Sequence, residues 1–162
     1  AAVIFGATGG VMEAALRTVV AKVTGSEMGP LEFTEVRGTQ GIKEASYELP
    51  NKTVRVCVAS GLSNAKKVLD GVRSGSLQYD FIEIMGCPGG CISGGGQPRT
   101  DCEDFRTLRS KALYSEDERK VLRKSHENPD LLKLYETWLG DIGGHKAHHL
   151  LHTHYVDRSA SR

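Results

Sequence analysis

The stretch Asp80-Phe81-Ile82-Glu83-Ile84-Met85-Gly86-Cys87-Pro88-Gly89-Gly90-Cys91 decides how this chain is read. Asp80 to Met85 is short and mostly apolar, with glycine behind it, and predicts a buried strand. That strand empties into a glycine loop carrying two cysteines. A loop at a strand end is where α/β architectures place their chemistry.

Working outward, Leu62 to Arg73 carries Ala65, Val68, Leu69 and Val72 at helical spacing, with Gly75 beyond it. This predicts a helix and its stop. Lys52 to Ala59 puts Val54, Val56 and Val58 on one side and predicts a strand. Ile42 to Leu49 is a weaker strand, and Pro50-Asn51 reads as the hairpin turn between the two. Leu31 to Arg37, with Leu31 and Phe33 at period two, predicts a further strand. Residues 2–5 read as one more short buried strand, followed by the turn Gly6-Ala7-Thr8-Gly9-Gly10. Met12, Ala15, Leu16, Val19, Val20 and Val23 then form one helical face, which Gly25 to Pro30 ends.

Downstream, the chain reads as helical. Thr100-Asp101-Cys102-Glu103 and Ser115-Glu116-Asp117-Glu118 both match a capping box. Asn128-Pro129 supplies an N-cap and a proline at the first helical position. Leu131, Leu132, Leu134, Tyr135 and Trp138 give that helix its apolar face, Gly140 stops it, and a last helix or turn spans Lys146 to His152. The pattern predicts an α/β fold: a small mixed β-sheet of about four or five strands flanked by helices, with a helical C-terminal extension. The break near Gln97–Thr100 divides an α/β lobe, residues 1–99, from an extension, residues 100–162, expected to pack on the same domain.

The length, 162 residues, suits one domain with one core. Lys and Arg number 21 against 20 Asp and Glu, so no general electrostatic affinity for nucleic acid is expected. No apolar run approaches the roughly 20 residues of a membrane helix. The opening Ala1-Ala2-Val3-Ile4-Phe5 has no basic leader, so a cytoplasmic setting is expected. It also places residue 1 inside an apolar run, so the chain is expected to be a piece of a longer protein. Glycine accounts for 19 residues and clusters at 6–10, 86–96 and 140–144, which marks special loops.

Four cysteines in such a setting point to metal or redox chemistry before disulfides. In Cys87-Pro88-Gly89-Gly90-Cys91, soft thiolates suit iron. The two glycines let the backbone approach closely and turn amides toward a cluster's sulfides. Zinc would need two more ligands, for which His145, His148, His149 and His152 are the candidates; a histidine-rich surface is the plainer reading of that group. Cys57, on a strand, reads as a packing residue, and Cys102 as incidental. The turn Gly6 to Gly10 has no following Lys and an incomplete dinucleotide pattern, so it is a poor phosphate loop. Glu13 reads as a helix-surface residue or a neighbour of the ligands' partners. Glu83 lies on the strand leading to the cysteines. Neither is a convincing general acid or base.

These motifs together resemble a family. Met85-Gly86-Cys87-Pro88-Gly89-Gly90-Cys91 with Gly94-Gly95-Gly96-Gln97-Pro98 is similar to the third cluster-binding motif of the iron-only ([FeFe]) hydrogenases. Phe5 to Arg17 resembles that family's glycine turn and following helix. His148-His149-Leu150-Leu151-His152-Thr153-His154-Tyr155 resembles the C-terminus of its catalytic subunit. Gly86 departs from the family's usual Ala.

The resemblance implies the C-terminal lobe of the catalytic subunit and its H-cluster, a [4Fe–4S] cubane joined to a two-iron unit bearing carbon monoxide, cyanide and a dithiolate. Cys87 would be a cubane ligand. Cys91 would ligate the cubane and bridge to the two-iron unit. Phe5, Gly6, Val11, Met85 and Pro88 would line the group, with the helix's first-turn amides free to meet cyanide. The other two cluster motifs and the proton-relaying thiol would lie N-terminal to this segment, so the chain alone is expected to be inactive. Implied partners are that N-terminal remainder, a ferredoxin-like or NAD(P)-linked electron carrier, and H2 and protons as substrates. A non-catalytic iron–sulfur assembly-factor relative and a sensory hydrogenase homologue are the alternatives.

Overall fold

The computed structural model describes residues 1–25, 32–50 and 52–157. It divides into two compact units, Ala1–Ser125 and His126–Arg162.

In the first unit, strands β1 (Ile42–Leu49), β2 (Lys52–Ser60) and β3 (Phe81–Met85) form a mixed sheet in the order β1-β2-β3. β1 and β2 are antiparallel, with Leu49 opposite Lys52, so Pro50 and Asn51 make the connection; Asn51 itself lies outside the described residues. β2 and β3 are parallel, Val56 opposite Phe81, and helix α2 (Leu62–Arg73) crosses between them.

Alternation along β2 gives the sheet two apolar faces. Val56 and Val58 pack with Met12, Leu16 and Val20 of helix α1 (Gly10–Thr24) and with Phe33 and Val36. Cys57 and Ala59 face the other way, onto Val68 of α2. Helix α3 (Phe105–Glu118) covers the start of the chain, where Tyr114 and Leu113 meet Ile4 and Ala7. The architecture is α/β, a small mixed sheet between helices.

Two expected strands are absent. Residues 2–5 belong to a 3-10 helix, Ala2–Gly6. The Ile4 and Ala7 amides bond back to the carbonyls of Ala1 and Ile4 at 3.2 and 3.1 Å, which spends the groups a strand would offer a neighbour. Residues 34–36 are likewise a 3-10 turn; Val36 within it and Phe33 just before it are buried three residues apart, the period of that helix and not of a strand. Leu31 lies outside the described residues, as do residues 26–30 of the expected helix stop; Gly25, at φ 64°, ends α1. Among the described residues the sheet therefore has three strands.

The second capping box also fails. Ser115 to Glu118 form the last turn of α3, because Asp117 is drawn into the interior by Arg17. In the first, Thr100 accepts the Cys102 amide at 3.2 Å, but α3 starts only at Phe105.

In the second unit, Asn128 caps helix α4 (Pro129–Leu134) by accepting the Asp130 amide at 3.0 Å. One π-helical turn, Tyr135–Leu139, follows and stops at Gly140. The apolar face expected here is largely exposed at Leu132, Leu134 and Trp138. Helix α5 (His145–Leu151) then carries His148, whose ring stacks on that of His152 at 4.3 Å. Stacked rings present faces, not nitrogens, to each other, which argues against joint metal ligation.

Candidate metal centre

The parallel strand β3 delivers Met85 to the end of the sheet, where its carbonyl accepts the Gly61 amide at 2.8 Å. The chain then turns back on itself. The Gly90 amide bonds the Cys87 carbonyl at 3.0 Å, and Cys91–Ser93 forms one 3-10 turn. Both thiols, Cys87 and Cys91, are exposed and free. Gly94 sits between them: a Cβ there would stand 3.5 Å from the Cys87 sulfur and 3.8 Å from the Cys91 Cα. Cys57, by contrast, is fully buried, and burial pushes its thiol up to about 11, the mark of an inert packing residue.

Glycine is required where the loop meets the glycine turn. Gly90 has φ +98°, and a Cβ would lie 2.6 Å from the Gly6 oxygen and 2.8 Å from the Thr8 nitrogen. The Thr8 amide donates to the Gly89 carbonyl at 3.1 Å. The two glycine motifs, some eighty residues apart, are thus joined backbone to backbone.

The other residues named from the sequence surround this junction unevenly. Gly6 and Met85 are half-buried, whereas Phe5, Val11 and Pro88 are exposed. Gly6 and Cys91 share a groove of about 410 Å³ with Val3, Ile92 and Leu113. The amides of the turn are not free as expected. Gly10 bonds the Ala7 carbonyl, and the Gly9 and Met12 amides donate to the two carboxylate oxygens of Glu83, each at 2.7 Å.

Three residues that the motifs did not single out hold the site. Glu83 was visible only as an acid beside the cysteines. Lys43 is 5% exposed and donates to the Thr8 and Gly38 carbonyls at 3.0 and 2.9 Å. Burial pushes its ammonium down to about 8, with the Glu83 carboxylate pulling the other way. Arg109 of α3 donates to the carbonyls of Ile92 at 2.7 Å and Pro98 at 2.6 Å, spanning the cysteine loop's exit. Its guanidinium lies over the Phe105 ring at 4.9 Å. A lone arginine in an amphipathic helix carries no sequence signal for such a task.

The family model for the C-terminal domain of the iron-only hydrogenase large subunit matches residues 1–95, and that for the iron hydrogenase small subunit matches residues 103–158. The chain belongs to the iron-only hydrogenase family. The NADP-reducing hydrogenase subunit HndD of Solidesulfovibrio fructosivorans is 47% identical over 160 residues, covering 98% of this chain and 27% of that protein. Iron hydrogenase 1 of Clostridium pasteurianum is 44% identical over 160 residues, covering 96% and 28%. The [FeFe]-hydrogenase HydA1 of Chlamydomonas reinhardtii superposes with a TM-score of 0.72 at 45% identity, over 94% of this chain and 45% of that one. A more distant relative, Protein NAR1 of Arabidopsis thaliana, is 32% identical over 157 residues. The chain therefore spans between a quarter and half of the hydrogenases it matches. A periplasmic hydrogenase large subunit, 52% identical over 97 residues, is also a relative, so membership assigns no compartment. No helix among the described residues is long and apolar enough to cross a membrane.

Iron-only hydrogenases carry an iron–sulfur H-cluster, and the donor set here fits part of one. Two accessible thiols flank a permissive backbone, which is what a cubane corner needs. Among the described residues no three His, Cys, Asp or Glu side chains converge on a metal position.

Arg109→Ala removes both loop bonds without touching a cysteine. It is expected to lower iron retention at the loop several-fold after anaerobic reconstitution. Arg109→Lys, whose compact ammonium lacks the guanidinium's rigid fork, should restore little of it.

Proposed function

We propose that this chain is the cysteine-bearing lobe of a hydrogenase H-cluster domain, in which Cys87 and Cys91 would hold the cubane as two of its four ligands and Cys91 would also join it to the two-iron unit. The observation that carries this reading is the pair of exposed thiols on a glycine loop pinned to the glycine turn. When bound, the cluster supplies the iron site for the reversible reaction 2H⁺ + 2e⁻ ⇌ H2.

The chain's own residues hold, enclose and orient. Gly90 keeps the loop against the turn. Gly6 and Met85 offer apolar surface beside the thiols, and Phe5, Val11 and Pro88, exposed here, become the lining once the other lobe covers them. The remaining ligands and the proton relay come from polypeptide outside these residues, which fits the greater length of the relatives, of which this chain spans between a quarter and half. Electrons are exchanged with a ferredoxin-like or NAD(P)-linked carrier in the cytoplasm; the NADP-reducing relative supports the second. The helix sequence Val11-Met12-Glu13-Ala14-Ala15 and the higher identity to hydrogenases favour this over the assembly-factor reading that Protein NAR1 represents.

The test is anaerobic reconstitution of the full-length polypeptide that contains this chain. Cys87→Ser and Cys91→Ser should each lower hydrogen turnover more than a hundredfold and remove the cubane's spectroscopic signature. The 162-residue chain alone should evolve no hydrogen with a reduced dye. Unchanged turnover in either serine variant, or hydrogen from the isolated chain, overturns the proposal.

A further inference from the structure

Helix α1 begins without a cap of its own. Its N-cap, Gly9, sits at φ +92°, and a Cβ there would lie 1.9 Å from the Val36 oxygen. No Ser, Thr, Asp or Asn fits, so the turn cannot satisfy its amides with a local side chain. The sheet satisfies them instead. Strand register places Lys43, Val58 and Glu83 in one row across β1, β2 and β3. All three are buried on the face that α1 covers, with Glu83 6% exposed. From one end of the row Glu83 takes the Gly9 and Met12 amides; from the other Lys43 takes the Thr8 carbonyl. Thr8 in turn gives its amide to Gly89, inside the cysteine loop.

An anion and a cation on opposite sides of Val58 therefore grip opposite polarities of the same turn. The carboxylate meets amides at a helix N-terminus, where the dipole favours negative charge. The ammonium meets carbonyls. Reversing either group would bury an unpaired charge, so the grip has one register.

We infer that Glu83 and Lys43 are positioning residues, which fix the height of the glycine turn against the Cys87–Cys91 loop and so set the surroundings of whatever iron group the cysteines hold. The inference rests on the function proposed above for its second half alone. Both residues act through backbone groups: Glu83 through the Gly9 and Met12 amides, Lys43 through the Thr8 and Gly38 carbonyls. Thr8, 2% exposed, makes the link continuous: its carbonyl and amide are both committed, and its hydroxyl has no hydrogen-bond partner among the described residues.

The test uses Glu83→Gln and Lys43→Met in the full-length polypeptide. Each keeps the side chain's bulk, so a merely space-filling role would survive. In the iron-free protein, amide hydrogen exchange at Thr8, Gly9 and Met12 should quicken at least tenfold, while Val56 and Val58 stay protected. After reconstitution, the cluster's electron paramagnetic signature should shift and broaden at unchanged iron content. Glu83→Asp, a methylene shorter, should not restore either property. If Glu83→Gln does not fold, Lys43→Met decides through the Thr8 amide. Wild-type exchange rates at the turn overturn the clamp. Quickened exchange with an unchanged signature overturns the positioning role only. Failure of the wild type to bind iron through Cys87 and Cys91 overturns the function proposed above, and the exchange result still judges the clamp.

Discussion

Gly90→Ala is expected to be among the most damaging single substitutions in the chain, lowering stability by about 3–5 kcal/mol and abolishing iron binding at the cysteine loop. A φ of +98° with ψ −168° is backbone that essentially only glycine adopts, and it already disfavours a side chain by about 1–3 kcal/mol. The larger cost is the clash, because the Cβ would meet backbone atoms of Gly6 and Thr8 at 2.6 and 2.8 Å. Neither can swing aside as a flexible side chain would. The loop would have to leave the turn, and the Thr8–Gly89 bond would break. Gly86→Ala is the control: no heavy atom lies within 4 Å of its Cβ position, so a change under about 0.5 kcal/mol is expected. Urea unfolding and iron content of the two variants check the contrast; equal stability would show that the backbone contact is not essential.

Arg17→Met should cost a comparable amount, about 3–5 kcal/mol. Arg17 is 1% exposed and holds two fully buried carboxylates. Its guanidinium donates to Glu13 at 2.8 Å, to both Asp117 oxygens at 2.8 and 3.2 Å, and to the Arg123 carbonyl at 3.1 Å. Arg37 also binds Glu13, and Arg123 also binds Asp117, but both are nearer the surface. Methionine fills similar space, so the loss is electrostatic and not a cavity. The pH dependence follows. Burial alone would raise the Asp117 carboxyl, but hydrogen bonds from Arg17 and Arg123 outweigh it and hold it below the usual aspartate value. A depressed carboxyl stabilises the fold above its unfolded value of about 3.9, and that stabilisation fades as pH falls through the lower folded value. The deficit of Arg17→Met should therefore be largest near neutral pH and shrink as pH falls below about 3.9. A deficit independent of pH would assign the loss to packing.

Much of this was legible in the sequence where local pattern and tertiary demand agree. The helix expected from about Leu62 to Arg73 is α2, and the strands expected over Ile42–Leu49, Lys52–Ala59 and Asp80–Met85 lie within a residue of those bounds, but β3 is not the buried strand expected: Phe81 and Ile84 are exposed and Glu83 is its buried residue. The pattern misled where burial is charged. On α1, Met12, Leu16 and Val20 are inside as periodicity requires, yet Val19 and Val23 are exposed while Glu13 and Arg17 are buried. Hydrophobic spacing cannot announce a buried ion pair; the only trace was an acid and a base four residues apart. The same network turned Ser115–Glu118 from an apparent helix start into a helix end. At the site, the cysteines and glycines were readable because few other residue types fit such backbone. Lys43, Glu83 and Arg109 were not, because their work depends on strand register and on a helix more than a dozen residues beyond the loop.

The Arg17–Asp117 and Arg109–loop contacts both run between the segment matched as large subunit, or the loop leaving it, and the segment matched as small subunit. What unites the two segments is then interior chemistry and not the peptide that tethers them. A gene encoding such a protein could be split within that tether, or two genes fused across it, with the same charges and loops still finding one another during assembly.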